Sequence, residues 1–421
     1  MTATTFGRTT PGDAPVSVEE AQRLVLETIA ALGTECASLE EARGRVLREN
    51  IFAPRDIPDA DNSAMDGYAL RSSDIASATN DAPATLRVTG EVPAGVVASG
   101  RVEPGTAMRI MTGAPIPDGA DCVAQVEITD GGGESVRIFQ SLRGGANIRR
   151  RGEDMREGEL VIGAGARVGA GEIGVAASAQ KRELVVGRRP VVAIFSTGAE
   201  LVDVWNPVGP GQVVNSNLWS LAALAEDAGA VVRRLGIVGD TKAATERAIE
   251  AALDADIVVS SGGVSVGAYD FVKDALEDLG AETIFWRVAM KPGKPLLFSL
   301  LRGKPCFGLP GNPVSCMVSF HLFIAPAIRK AAGIEGGLLP PIVNARLTAP
   351  LDAKGERRVY MRVRVSSASG GLIAAPARAQ GSGVSTSMVG ANGLAVLEPG
   401  VGRREAGDEV PVVLIGAISA S

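Results

Sequence analysis

One histidine, three tryptophans and three tyrosines in 421 residues leave little imidazole or aromatic chemistry to work with. The single His321 nearly excludes histidine-rich zinc sites. A Ser/His/Asp triad would have to use a residue inside the apolar run VSFHLFIAPAI, where a packed histidine is the plainer reading. The four cysteines, Cys36, Cys122, Cys306 and Cys316, lie far apart and form no C-x-x-C pair, which argues against thiol redox or zinc chemistry and leaves them as small buried hydrophobes. Positive charge is not in excess either. Forty-two basic against 48 acidic residues give a net charge of -6, so general attraction to nucleic acid or an anionic membrane is not expected. The opening MTATTFGRTTPGDAPV has no apolar h-region, and the longest apolar stretch, Cys316 to Ile328, is broken by His321 and Pro326 and too short for a bilayer span. The expectation is a soluble, cytoplasmic protein whose chemistry runs on carboxylates, lysines, hydroxyls and backbone groups.

What is present falls into four patterns, more than one core of roughly 250 to 300 residues would hold. After a polar start, Ser17 and Glu20 make an S-x-x-E capping box ahead of the amphipathic AQRLVLETIAAL. From about Ala53 to Val186, short Val/Ile runs broken by Gly, Pro and Asp read as all-β, packed with small aliphatic residues because aromatics make up only 4% of the chain. From Arg189, apolar β runs alternate with helical ones (PVVAIF, NLWSLAALAEDAG, AVVRRLGIV, KAATERAIEAAL, DIVVSS), which predicts a doubly wound parallel sheet with helices on both faces. Beyond Gly337, VNARLTAP, RRVYMRVRV and GLAVLEP predict a final small β domain.

In such an open sheet, ligands bind beyond the carboxyl ends of the strands. The strands there deliver Ser196-Thr197-Gly198-Ala199-Glu200, then Gly239-Asp240, then Gly262-Gly263-Val264-Ser265 with Asp270 after it, and finally Gly311-Asn312-Pro313-Val314-Ser315. Two of these loops are Gly-rich and lead into helices, exposing backbone N–H groups to an anion. Taken singly, each is also an ordinary structural turn. Glu200, Asp240 and Asp270 at one rim would repel by several kcal/mol at ~4 Å and an effective dielectric near 20, so a divalent cation, Mg²⁺ by its preference for oxygen, would relieve them. A solvated loop acid or helix cap is the alternative for each. Opposite in sign, Lys291-Pro292-Gly293-Lys294-Pro295 is stiffened by its prolines and suits an oxyanion, or else is a solvated basic turn.

With Asn62-Ser63-Ala64-Met65-Asp66-Gly67-Tyr68-Ala69, Thr112-Gly113-Ala114, Arg149-Arg150-Arg151-Gly152-Glu153-Asp154, Ser261 to Gly267, Lys291 to Pro295 and Leu309 to Ser315 in this order, the chain resembles the MoeA-type molybdopterin molybdenumtransferases, the family of the gephyrin E domain. That resemblance implies a multidomain α/β and all-β protein. Its parts would be an N-terminal arm and helix (1–37), an extended connecting domain (38–57 and 159–187), a β domain (58–158), an α/β molybdopterin-binding domain (188–335) and a C-terminal β-barrel (338–421). It implies a homodimer that converts adenylylated molybdopterin and molybdate to molybdenum cofactor and AMP with Mg²⁺. The residues carried over are Asp66, Thr112, Asp154, Glu200, Asp240 and Asp270 for catalysis, the last three also as metal ligands. For substrate they are Arg149, Gly262, Gly263, Ser265, Lys291, Lys294, Pro310, Asn312, Pro313, Ser315, Arg362 and Ser382. A molybdopterin adenylyltransferase stands as a partner in the preceding step and as an alternative reading, and a gephyrin-like scaffold as another.

Overall fold

A computed structural model describes residues 14–264, 271–353 and 355–418. Ser265 and Asp270, both expected at the site, lie outside the described residues. The chain divides into two compact units: one contains Ser38–Glu41 and Glu49–Leu184, the other the chain up to Ala37, 42–48 and everything from Val185 onward.

The smaller unit is built around a five-stranded sheet in the order Cys122–Gln125, Gly67–Leu70, Thr106–Ile110, Ala84–Val92, Ser135–Ile138. Its core is made of small aliphatic side chains such as Leu70, Ala107, Ala124, Val136 and Ile138, with Tyr68 the one large ring. Gly67 has no room for a side chain, since a Cβ there would stand 2.0 Å from the Ala124 carbonyl oxygen. Close pairing of these two strands therefore holds the end of the preceding segment, Asn62 to Asp66, in place.

In the larger unit a six-stranded sheet runs Val231–Val238, Val191–Thr197, Ile257–Ser261, Lys304–Leu309, Leu297–Leu301, Glu282–Trp286. Along Val191–Thr197 the side chains alternate between two cores: Val192 and Ile194 pack with the Ser216–Asp227 helix, Ala193 and Phe195 with the Lys242–Ala252 and Phe271–Asp278 helices. Burial on both faces is why that run is uninterruptedly apolar. The sheet is doubly wound as expected but mixed. Leu297–Leu301 is antiparallel to both neighbours, because only Arg302 and Gly303, both with positive φ, connect it to Lys304–Leu309, and a two-residue turn cannot make a parallel crossover.

Five strands of the C-terminal region close on themselves: Arg358–Ala368, Gly371–Pro376, Ile342–Leu347, Glu409–Leu414, Gly393–Leu397 and back to Arg358–Ala368. Closure gives every strand of the barrel a neighbour on both sides, and beside the start of the first strand Met290–Lys291 adds in parallel, Lys291 opposite Val359.

The helical run Pro313–Ala331 is longer than the apolar stretch read from the sequence. By length and composition it is long enough to cross a membrane, yet 78% of its most apolar window is buried inside the molecule. It continues through Pro326 by a π-turn over Phe320–Ile324. Pro326 has no N–H to offer the Leu322 carbonyl, and Gln22 Nε2 of the Val18–Thr28 helix donates to that oxygen instead, at 3.1 Å. Ser17 caps the same helix by accepting from the Glu20 N–H, but the Glu20 carboxylate pairs with Arg23 rather than closing the capping box. Gln22→Ala should lower the unfolding free energy of this unit by about 1 kcal/mol, read from urea titration followed by tryptophan fluorescence. All three tryptophans, Trp205, Trp219 and Trp286, lie in it. Three of the cysteines are buried as expected, whereas Cys36 is exposed, on a strand whose first three residues face solvent.

Candidate functional site

In the smaller unit, Asp66 sits on the turn between Asn62–Ser63 and Gly67–Leu70. Its Oδ1 accepts from the Thr112 N–H at 2.7 Å and from Thr112 Oγ1 at 2.8 Å. These two hydrogen bonds, backbone first, with the nearby Arg109 charge, hold the exposed carboxyl below the usual carboxylate range. Arg149 lies across a short antiparallel pairing from Asn62. The three consecutive arginines differ in a way their sequence cannot show. Arg150 pairs with Asp61 and Arg151 with Asp56, each at 2.5 Å, while Arg149 is exposed with no ion-pair partner among the described residues. Asp154, also exposed, is placed by its N–H donating to the Ile57 carbonyl at 3.0 Å.

In the larger unit, the turns after Val191–Thr197, Ile257–Ser261 and Lys304–Leu309 emerge side by side, since these strands are parallel neighbours. Gly262 and Gly263, with φ of 92° and 70°, make the central turn. A Cβ on the first would meet the Thr197 carbonyl oxygen at 2.4 Å and one on the second the Val272 side chain at 2.9 Å. Only glycine fits there. Asp240 accepts from the Ala199 N–H at 2.6 Å and so anchors the turn that carries Glu200.

Two cavities open at this edge. The first, about 640 Å³, is lined by Glu200, Val213, Val214, Asn215, Asn217, Gly263, Pro310, Asn312, Pro313 and Ser315. The second, about 570 Å³, is lined by Lys291, Lys294, Asp352, Arg357, Arg362, Gln380 and Ser382, and it shares Pro295, Asn312 and Ser315 with the first. Gly293, with φ of 101°, packs the Lys291–Pro295 loop so closely that a Cβ there would stand 2.7 Å from the Met290 and Ser319 side chains, so only glycine fits. Neither lysine has an ion-pair partner among the described residues, and both are exposed.

Arg362 is 1% exposed, the largest fully buried side chain described. Its Nε donates to Ser387 Oγ at 3.2 Å and its Nη2 to the Gly381 and Ala379 carbonyls; among the described residues no carboxylate faces it. Burial pulls its pKa down from the ordinary arginine value. A guanidinium stays charged at neutral pH regardless, and a buried cation without a counter-ion is costly, so the cavity is set to take an anion. The Ser382 loop is docked on the helix that begins at Pro313: Asn312 Nδ2 donates to Ser382 Oγ at 3.2 Å and the Val314 N–H to the Ser382 carbonyl at 3.1 Å.

The structure thus brings Lys291, Lys294, Arg362, Ser382, Asn312 and Ser315 together, and Glu200, Gly263, Pro310 and Pro313 beside them. Gly262 supports its turn and Asp240 supports Glu200 from outside the cavity lining. Among the described residues no three His, Cys, Asp or Glu side chains form a metal-holding group. Asn215 and Asn217 escaped sequence reasoning, although an Asn at the N-cap of Ser216–Asp227, directly after two valines, is the signal of a strand-to-helix turn. Arg357, Asp352 and Gln380 carried no such signal, because their position depends on how the barrel meets the Lys291 loop.

The fold is a doubly wound sheet whose strand ends open into two adjoining cavities, one of them lined by lysines and arginines, with a closed barrel beside them, an architecture of a multidomain α/β and β protein with a ligand site at the sheet's edge. Three family models cover most of the chain: the MoeA N-terminal region (domain I and II) at residues 16–179, a probable molybdopterin binding domain at 193–330, and the MoeA C-terminal region (domain IV) at 344–415. The chain belongs to the family of the molybdopterin molybdenumtransferases. It is 42% identical over 356 residues to molybdopterin molybdenumtransferase 2 of Mycobacterium tuberculosis, covering 82% of this chain and 87% of that one. It is 36% identical over 408 residues to the Bacillus subtilis molybdopterin molybdenumtransferase, covering 95% and 94%. A solved molybdopterin biosynthesis moeA protein from Pyrococcus horikoshii OT3 superposes with a TM-score of 0.79 at 29% identity, over 95% of this chain and all of that one.

Proposed function

We propose that this chain inserts molybdenum into molybdopterin, converting adenylylated molybdopterin and molybdate to molybdenum cofactor and AMP, as a Mg²⁺-dependent, cytoplasmic homodimer. The observation that carries the reading is the buried Arg362, without a carboxylate partner among the described residues, in a cavity that also presents Lys291, Lys294 and Ser382. Molybdate is a tetrahedral dianion, so these groups compensate its charge and orient it. The larger neighbouring cavity suits the pterin and its adenylyl group, and the shared Ser315 and Asn312 stand where the two ligands would meet.

Preorganised charge does most of the work in this scheme, which is how a chain with one packed histidine manages without a histidine base. Glu200, which lines the larger cavity, and Asp240, whose carboxylate accepts from the Ala199 N–H next to it, are proposed with Asp270 as the oxygen ligands that would hold Mg²⁺. When bound, Mg²⁺ would stabilise the charge that develops as the phosphoanhydride is cleaved. Asp66, Thr112, Arg149 and Asp154 of the smaller unit are proposed to serve the same reaction.

AMP release from adenylylated molybdopterin is the direct test and should depend on molybdate. Release at the same rate without molybdate, or none with it, would sink the reading. If a homodimer shares its residues between subunits, Asp66→Ala and Lys291→Ala proteins, each inactive alone, should recover activity approaching a quarter to a half of wild type when subunits exchange. Verified heterodimers that stay inactive would count against a shared site.

A further inference from the structure

The cationic cavity contains more positive charge than one molybdate needs. Among the described residues, Lys291, Lys294, Arg357 and Arg362 line it against a single carboxylate, Asp352, an excess of three, and a dianion leaves one positive charge over. Arg357 is the unassigned member. It is half-buried, and its Nη1 donates to the Met290 carbonyl at 3.2 Å, directly beside Lys291. It has no carboxylate partner among the described residues, whereas its neighbour Arg358 pairs with both Glu19 and Glu398. One guanidinium nitrogen tied to a carbonyl leaves Nε and Nη2 without a protein partner among the described residues. That pair of parallel N–H donors is the arrangement that grips a phosphoryl group through two hydrogen bonds.

We propose that Arg357 binds a phosphoryl group of the substrate, so that the cavity holds two oxyanions at once, the molybdate on Arg362 and a phosphate on Arg357. The inference rests on the proposed function and adds the way a phosphoryl group of the substrate's phosphoanhydride is held next to the oxyanion. Asp352 then sets the selectivity. As the one acid among the described lining residues it opposes any further anion, and it keeps the empty cavity from accumulating unspecific ones.

Calorimetric titration of the full-length protein tests this with molybdate and inorganic pyrophosphate as probes. Wild type should bind one molybdate and, when molybdate-saturated, still bind one pyrophosphate. Arg357→Met should weaken pyrophosphate at least about tenfold and leave molybdate within about twofold, with Arg357→Lys in between because the paired donors are lost but the charge remains. Asp352→Asn, at an exposed position that tolerates the change, should tighten pyrophosphate several-fold. Displacement of molybdate by pyrophosphate, equal weakening of both ligands in Arg357→Met, or an Asp352→Asn protein with wild-type pyrophosphate affinity would each overturn the two-oxyanion cavity while leaving molybdenum insertion intact. A wild-type protein that binds no molybdate would instead remove the proposed function, and this inference with it.

Discussion

Lys291→Ala should reduce molybdate-dependent AMP release by about 100-fold or more, the scale on which one preorganised charge contributes to a developing anion, and should leave the fold intact. Lys291 has no ion-pair partner among the described residues to lose, so its removal breaks nothing in the empty protein. In the wild type, molybdate bound only to the folded state should raise the melting temperature in a saturable way, by an amount equivalent to about 2.7 kcal/mol at a concentration 100 times Kd. Sulfate, a tetrahedral mimic, should do so more weakly. The Lys291→Ala protein should lose most of this shift, while changing Lys181, which pairs with Glu49 at 2.9 Å in the other unit, should lose none of it. Equal molybdate affinities for wild type and Lys291→Ala by calorimetry would remove the Lys291–Pro295 loop from the anion site.

The second large effect concerns His321, the single histidine, which lies in the π-turn of the long helix. Burial first, and the Arg329 charge second, push its pKa from 6.5 down to about 4. The unfolded chain therefore takes up a proton between pH 6.5 and 4 that the folded chain refuses, so stability is full above about pH 6.5 and falls as the pH drops toward 4. At 1.36 kcal/mol per unit the loss amounts to about 3 kcal/mol at most. Carboxylates held below their usual range, such as Asp61 and Asp66, act at lower pH, where their protonation removes stability as the pH falls through their folded-state values. Urea titrations of wild type and His321→Gln at several pH values separate the two. The variant should be nearly flat from pH 6.5 to 4.5, where wild type slopes. Parallel curves would show that His321 charges as easily folded as unfolded.

How much of this was legible follows from particular residues. Val191–Thr197 reads as a strand covered on both faces because every side chain along it is apolar or small, and burial on both faces demands that. The turns at its end and at Gly262 to Val264 are visible because glycine marks places where no side chain fits. The antiparallel Leu297–Leu301 strand was not visible. Its composition suits either direction, and only the two-residue turn that follows settles the matter. Nor could three adjacent arginines be told apart, because the acids that bind Arg150 and Arg151 lie 89 and 95 residues earlier in the chain.

Composition and spacing by themselves determined the classes of element and the Gly-rich loops at the sheet's carboxyl edge, because periodicity, backbone conformation and residue type are local properties that each segment expresses alone. The tertiary structure decided which charged groups lack a protein counter-charge among the described residues. Arg362 looks like any charged residue in a β strand until the barrel closes around it. Met290–Lys291 then pairs with the start of that strand, and the 379–383 loop docks on the helix at Pro313, so that a buried guanidinium, two lysines and a serine share one cavity. Whether a charge is compensated depends on what else lies within a few ångströms, and that is set by long-range packing, which no local pattern in the chain encodes.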